Sequence, residues 1–437
     1  HSSKSKNIFA RIHDRFNELF DHLRDFYLKL LAWSLAQPWG IVALASLILV
    51  SGLALFPFVG RDFFPIVDAS QFRLHVKAPS GTRIEETEKL FSAVEEEIAN
   101  VIPKEEIALL IDNIGVPAEN FNLAFGDSAT IGTADGEVLV SLKHHRAHST
   151  PEYIKRVRVA LNEKFPQMTF YFQPADIVSQ ILNFGLPAPI DIRVAGFKRE
   201  ENLQITKEIM ARVAKVAGAV DVQMPQEVDS PQLKLDVDRT LAAKVGLNQL
   251  NIANDVLVSL SSNTQVTPNY WIDPVFGIPY FLAVQIPQHK VNSVEAILKT
   301  PLSSSKTEQA VLLGNVATIS RGTTIGVANH FNVQPVFDIY ANVQSRDLGG
   351  VSQDIQQILA EYKPKMLPGN QIIMRGLVES MDNAFFKLGL GFIGAIVLVC
   401  LLMVVNSQRG TDPLIIVMAP PGAVAGIIWM LCLTTTT

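Results

Sequence analysis

Apolar residues recur along this chain in three rhythms, and each predicts a different kind of element. Residues 39–60, 388–405 and 413–437 contain no Asp, Glu, Lys or Arg. About twenty apolar residues in a helix span the hydrocarbon core of a bilayer, so each run predicts a membrane-crossing helix. Ahead of the first run, NIFARIHDRFNELFDHLRDFYLKLL (7–31) places Ile8, Ile12, Phe16, Leu19, Leu23, Phe26 and Leu30 at steps of three and four, with charges opposite. This spacing predicts an amphipathic helix, lying either on the inner membrane surface or against another part of the protein.

Between the first two runs the period switches between two and 3.6. QFRLHVKAP (71–79) alternates like a half-buried strand, and TRIEETEKLFSAVEEEIANVI (82–102) reads as a helix with a Thr82–Glu85 capping box. IALLIDNI and GEVLVSLK are strands, STPEYIKRVRVALNEKF a helix capped at Ser149, and MTFYFQP a closing strand. The order β-α-β-β-α-β is the ferredoxin-like unit. It recurs as APIDIRVAG, REENLQITKEIMARVAKVAG and VDVQMP, completed later by QPVFDIYANV, GGVSQDIQQILAEYK and NQIIMRG. The intervening stretch, 228–325, reads as an inserted module. It holds a strand, two short helices hinged at Gly246, and a hairpin-like pair of strands around Phe276 and Gly277. The predicted fold class is a membrane protein of α+β type: transmembrane helices plus two ferredoxin-like units, the second interrupted by an insertion.

Charge and composition narrow the function. A net charge of −5 with no basic stripe implies no nucleic-acid partner. Lys4, Lys6, Arg11, Arg15, Arg24 and Lys29 precede the first run, and Arg409 lies between the second and third. The positive-inside tendency places both segments in the cytoplasm and residues 61–387 outside. Cys400 and Cys432 both fall in apolar runs, so the exported region is expected to fold without disulfides. No G-x-x-x-x-G-K-[ST] loop is present, and the carboxylates of EETEKLFSAVEEE sit on a solvent face, so neither nucleotide-driven chemistry nor an enzyme active site is expected and no catalytic residue is assigned.

The stretch ENFNLAFGDSATIGTADGEVLV (119–140) sets Phe121 and Phe125 beside Gly126, Gly132 and Gly136, between two strands. A glycine-rich connection carrying aromatics moves and offers broad apolar contact. Phe170 and Phe172 alternate on the strand that follows. These phenylalanines line a pocket or anchor a core. HHRAH clusters His144, His145 and His148, and Met168, Met210 and Met224 lie on three elements. An exposed turn and core packing are the favoured readings of these two sets, so no metal ligand and no cofactor is assigned.

GRDFFPIVDASQFRLHVKAPSGTRIEETEK (60–89), QLKLDVDRTLAAKVGL (232–247) and DPLIIVMAPPGAVAGI (412–427) occur in that order and resemble segments of the resistance–nodulation–division (RND) efflux permeases. The resemblance covers the whole chain and matches the second half of such a permease, so a fragment of a longer protein is expected, with the proton relay elsewhere. It implies a cytoplasmic helix at 1–38, spans at 39–60, 388–406 and 413–437, and a first porter subdomain at 61–176. It implies a second porter subdomain in two parts, 177–227 and 326–387, around a docking insertion at 228–325. By resemblance, Phe121, Phe125, Leu139, Phe170 and Phe172 border a drug pocket, with Gly126, Gly132 and Gly136 in its flexible loop. Leu139 stands where drug pumps carry an aromatic. The implied protein is a homotrimer in the bacterial inner membrane, multi-pass, with its large region in the periplasm. Its implied partners are the lipid bilayer, a periplasmic adaptor, an outer-membrane channel and drug-like amphiphilic small molecules. A metal-exporting branch of the same superfamily is the alternative, and an anchored periplasmic binding module a second one.

Overall fold

The computed structural model describes residues 8–63, 68–115, 132–174, 181, 183, 186–303, 310–408, 411–417 and 419–434. Helix α1 (Ile8–Ala36) presents Phe16, Phe20, Leu23, Phe26 and Leu30 as an exposed face. At Gln37 the chain enters α2 (Pro38–Leu55), where Pro38 takes the first helical position and its missing N–H leaves no bond unmade.

The first sheet unit follows in strict alternation. It comprises β1 (Gln71–Lys77), α3 (Ile84–Val101), β2 (Ile107–Ile114), β3 (Asp135–Leu142), α4 (Thr150–Lys164) and β4 (Thr169–Pro174). The strands pair antiparallel in the order β2-β3-β1-β4, the ferredoxin-like arrangement. Phe72, Leu74 and Val76 of β1 point to the same side as Val138 and Val140 of β3. There they bury against Phe91, Val94 and Ile98 of α3 and Val157 and Leu161 of α4. The expected Thr82–Glu85 capping box does not form. Arg83 is the N-cap, one residue later, and the Thr82 hydroxyl donates instead to the Pro79 carbonyl at 2.6 Å.

The second unit opens with β5 (Ile190–Ala195), α5 (Arg199–Val213) and β6 (Ala219–Gln223) and is then interrupted. The insertion runs through β7 (Ser230–Val237), α6 (Arg239–Lys244) and α7 (Gln249–Ser261). Gly246, with φ of +78°, makes the left-handed turn between the two helices. Next come β8 (Tyr270–Ile272) and β9 (Pro279–Phe281), a hairpin closed by Gly277 at φ +68°. The short α8 (Val294–Leu298), β10 (Pro301–Leu302) and β11 (Val311–Leu312) precede β12 (Ala317–Thr324), which returns alongside β7. The insertion has its own small core of Ala242, Leu247, Ile252, Leu302 and Leu313.

The interrupted unit then resumes. A hairpin of β13 (Asn329–Phe331) and β14 (Gln334–Val343) leads to α9 (Leu348–Tyr362) and β15 (Gln371–Arg375). β14 lies between β5 and β6, and β15 on the far side of β5, so the order β15-β5-β14-β6 repeats that of the first unit. Ile190, Ile192, Val194, Ile339 and Ala341 bury against Ile209 and Val213 of α5 and Val351 and Ile355 of α9.

The chain closes with α10 (Leu377–Ser407), α11 (Thr411–Val417) and α12 (Ala419–Thr434). Among the described residues, Pro38–Phe58 and Leu377–Asn406 are long and apolar enough to cross a membrane. The apolar run 413–437, expected to form a third crossing helix, carries α11 and α12 on either side of Met418, which lies outside the described residues. α12 packs on α2: Ala425 lies so close to Gly52 that a Cβ there would be 2.8 Å from its own. Trp429 Nε1 donates to Ser51 Oγ at 3.1 Å. Small residues at a close helix contact, plus one hydrogen bond, are what helix association in lipid requires.

Candidate functional site: the open sheet faces and their seam

Each sheet has one face covered by its two helices. Because side chains alternate along a strand, the residues between the core positions form a second face, open in that neither helix of the unit covers it. In the first unit these are Arg73, His75 and Lys77 of β1, Asp135, Glu137 and Leu139 of β3, and Tyr171 and Gln173 of β4. His75 and Asp135 are buried and share a hydrogen bond of 2.6 Å.

In the second unit the open face carries Asp191 and Arg193 of β5, Asp338, Tyr340 and Asn342 of β14, and Arg375 of β15. Arg193 Nε lies 2.8 Å from Asp191 Oδ2 and 3.6 Å from Asp338 Oδ1. Burial, reinforced by the charge of Asp338, pushes the Asp191 carboxyl up to about 6, against the opposing pull of Arg193. Asp338 is raised for the same first reason. It is held down in part by hydrogen bonds from Asn329 Nδ2 at 3.1 Å and Gln226 Nε2 at 2.7 Å, and by Arg193. The guanidinium groups of Arg193 and Arg375 lie 5.2 and 5.5 Å from the Phe331 ring centroid.

The two units meet where β4 passes β6. Tyr171 of the first packs against Tyr340 of the second at 6.2 Å between ring centroids. Its hydroxyl lies within bonding distance of Asn342 Oδ1 and the Pro187 carbonyl. Burial, then the nearby Asp221 carboxylate, raises its phenol well above the ordinary value. Arg158 of α4 forms an ion pair with Asp221 of β6 at 2.7 Å. Near the same end, Ser80 bonds Glu227, and Gly326 N donates to the Glu227 carbonyl at 2.8 Å. The root of the insertion is thereby fastened to the turn after β1.

Several residues expected to line an apolar pocket are placed otherwise. Phe170 and Phe172 are each 4% exposed and face the helices, within the core of the first unit. The register explains why: Phe170 pairs with Val76 and Phe172 with Leu74, both core positions. Gly136, expected in the flexible loop, is a residue of β3. Phe91 Cζ would lie 2.5 Å from a Cβ there, so this glycine makes room for the core. Leu139 is half-buried on the open face opposite Arg73. Gly132 stands at the base of the loop, where the next residue, Thr133, donates its hydroxyl to the Thr82 carbonyl at 3.1 Å. Phe121, Phe125 and Gly126 lie outside the described residues.

His144 and His145 are exposed, and His148 lies 3.2 Å from Glu152. Met168 sits in the first core and Met210 packs on the second. Among the described residues, no group of three or more His, Cys, Asp or Glu is placed to hold a metal ion.

Two ferredoxin-like units with polar open faces, an insertion splitting the second, and apolar helices on either side make up the architecture of an RND permease. The AcrB/AcrD/AcrF family model matches residues 1–437, and the chain belongs to that family. It is 25% identical over 253 residues to the cation efflux system protein CusA of Escherichia coli, covering 57% of this chain and 23% of that protein. It is 21% identical over 426 residues to the cation efflux system protein CzcA of Alcaligenes sp., covering 96% of this chain and 39% of that protein. An X-ray crystal structure of a heavy metal efflux pump superposes with a TM-score of 0.77 at 20% identity, over 91% of this chain and 40% of the other. The chain thus spans at most about two fifths of the length of these proteins.

Proposed function

We propose that this chain is part of an inner-membrane efflux permease and that its cargo is metal cations rather than amphiphilic drugs. The observation that carries the reading is the chemistry of the open sheet faces. The aromatic side chains that would favour lipophiles, Phe170 and Phe172, are turned into the core, while the faces that meet at the seam carry Asp135, Glu137, Asp191 and Asp338. Relatives matching nearly the whole chain are named for cation efflux, which supports the same cargo class. In this reading the drug-pocket assignment of Phe170 and Phe172 gives way to a polar cleft.

The whole protein would be a homotrimer, multi-pass in the inner membrane. Residues 61–387 would lie in the periplasm and meet an adaptor and an outer-membrane channel. The chain acts as a transporter, and no step of bond-making chemistry is assigned to it. The test is cellular accumulation. A strain lacking the gene should retain more zinc, cobalt, nickel, copper or silver than its parent when challenged. Unchanged content of all five metals, with raised retention of a lipophilic dye, would return the reading to drug export.

A further inference from the structure

The insertion leaves and re-enters the second sheet unit beside one carboxylate. Gln226, just before it, donates Nε2 to Asp338 Oδ2 at 2.7 Å and accepts at Oε1 from the Asp338 N–H at 3.2 Å. Asn329, just after it, donates Nδ2 to the same Oδ2 at 3.1 Å. A backbone bond from Gly326 N to the Glu227 carbonyl, 2.8 Å, joins the two ends directly. Asp338, buried on β14, therefore ties the root of the insertion to the sheet.

Beside this tie stands a second buried carboxylate. Asp191 lies opposite Tyr340 and Asp338 opposite Arg193, so the two aspartates are diagonal neighbours on one face of the β5–β14 ladder. Arg193 Nε serves both, 2.8 Å from Asp191 Oδ2 and 3.6 Å from Asp338 Oδ1. The Oδ1 atom of each is buried without a hydrogen bond. Two ionised carboxylates thus share one guanidinium and leave two acceptors unmade, a costly arrangement. One proton on Asp191 Oδ1 removes a charge and turns that atom into a donor, with Asp338 Oδ1 as acceptor on the same face. Asp191 takes it because Gln226 and Asn329 donate to Asp338, whereas Asp191 has Arg193 alone as donor. Burial and the Asp338 charge favour the protonated form of Asp191 in the same sense. The other groups facing the pair are Tyr340, Tyr171 of β4, and Arg375 of β15, which Glu379 of α10 neutralises at 3.1 Å. Beyond Tyr171, Arg158 and Asp221 neutralise each other, and His330 of β13 is exposed.

We propose that Asp191 and Asp338 form a proton-binding site outside the membrane-spanning helices, and that the bound proton tightens the root of the insertion. With the proton in place, Asp338 is the one charge that Arg193 must balance, and it holds Gln226 and Asn329 firmly. Without it, repulsion from Asp191 bears on Asp338 and slackens the tie at Oδ2. The root is firm in mild acid and looser at neutral pH. The inference is independent of the cargo and holds for a metal pump or a drug pump alike.

The test uses the purified full-length protein and two readouts, each taken at about pH 7.5 and about pH 5. The first is the infrared difference spectrum, in which the wild type should gain a carboxylic acid C=O band in acid that Asp191→Asn lacks. The second is hydrogen exchange at the amides of Gly326 and Asp338, expressed as protection factors. Protection should rise about tenfold in acid for the wild type and stay high at both pH values in Asp191→Asn, which mimics the protonated carboxyl. Asn329→Ala cuts one strand of the tie, so it should keep the infrared band and lose most of the rise in protection. Arg212→Gln breaks an exposed ion pair elsewhere in the second unit and should leave both responses unchanged. Equal bands in wild type and Asp191→Asn overturn the site; that is the result if the rest of the full-length protein supplies a cation to the pair. A band confined to the wild type with protection that does not move overturns the tightening. Neither readout involves transport, so the failure of this inference and the failure of the cation reading are told apart.

Discussion

Replacing Asp191 by Asn tests the electrostatics of the second sheet directly. Asp191 is fully buried on the open face, and burial together with Asp338 moves its carboxyl from 3.8 to about 6. A folded-state value above the unfolded one means that the folded chain binds more protons between those limits. Stability therefore falls as pH rises through that window, and the loss is complete above about pH 6. A displacement of this size corresponds to about 3 kcal/mol. Asp191→Asn mimics the neutral carboxyl and keeps an acceptor for Arg193. Variant and wild type should be equally stable near pH 4, and the variant should be ahead by up to about 3 kcal/mol near pH 7.5. Hydrogen exchange at the amides of Ile192 and Ile339, expressed as protection factors, reads this as a ratio approaching about 150-fold. Groups whose values are lowered, such as Glu106 and Glu361, are common to both proteins and cancel in the difference. A difference that stays flat from about pH 4 to 7.5, or a variant that is weaker at neutral pH, refutes the reasoning.

Other substitutions probe the packing. Gly136→Val drives a side chain into Phe91 and the Asn113 carbonyl and should cost the first unit about 1–3 kcal/mol in a thermal or denaturant melt. A neutral result would put this glycine in a mobile loop after all. Phe170→Ala should cost about 3–5 kcal/mol and leave the range of exported cargo unchanged at matched expression, whereas a changed range would return Phe170 to the cleft wall. Gly52→Leu should part α2 from α12 and lower the melting temperature in detergent. Trp429→Phe, which loses only the bond to Ser51, should cost about 0.6 kcal/mol.

Much of the architecture was legible because two periods, two and 3.6, switch cleanly along the chain. Val76 and Val138 fall on one side of their strands, and Phe91, Val94 and Ile98 on one side of helix α3, so the order of elements in both sheet units could be read from the sequence. Boundaries were weaker. Thr82 looked like a cap but bonds backward to Pro79. The site was read least well. Phe170 and Phe172 sit on one face of β4, but alternation alone does not say which face the helices cover, and only the pairing with Val76 and Leu74 decides it. The polar partners are remote in sequence: His75 is 60 residues from Asp135, and Arg158 is 63 from Asp221. A usable signal was nonetheless present in IDIRVA and QPVFDIYANV, where Asp and Arg interrupt buried strands at alternate positions. Charges there are costly unless paired, so they mark a polar face rather than a solvent edge.

The central claim, a permease for cations with a polar cleft, is tested most directly by transport with the full-length protein in inverted membrane vesicles. The account predicts proton-driven accumulation of a divalent or soft monovalent metal ion, abolished by a protonophore, with no accumulation of an amphiphilic dye. Vesicles that take up the dye and exclude every metal ion would contradict it.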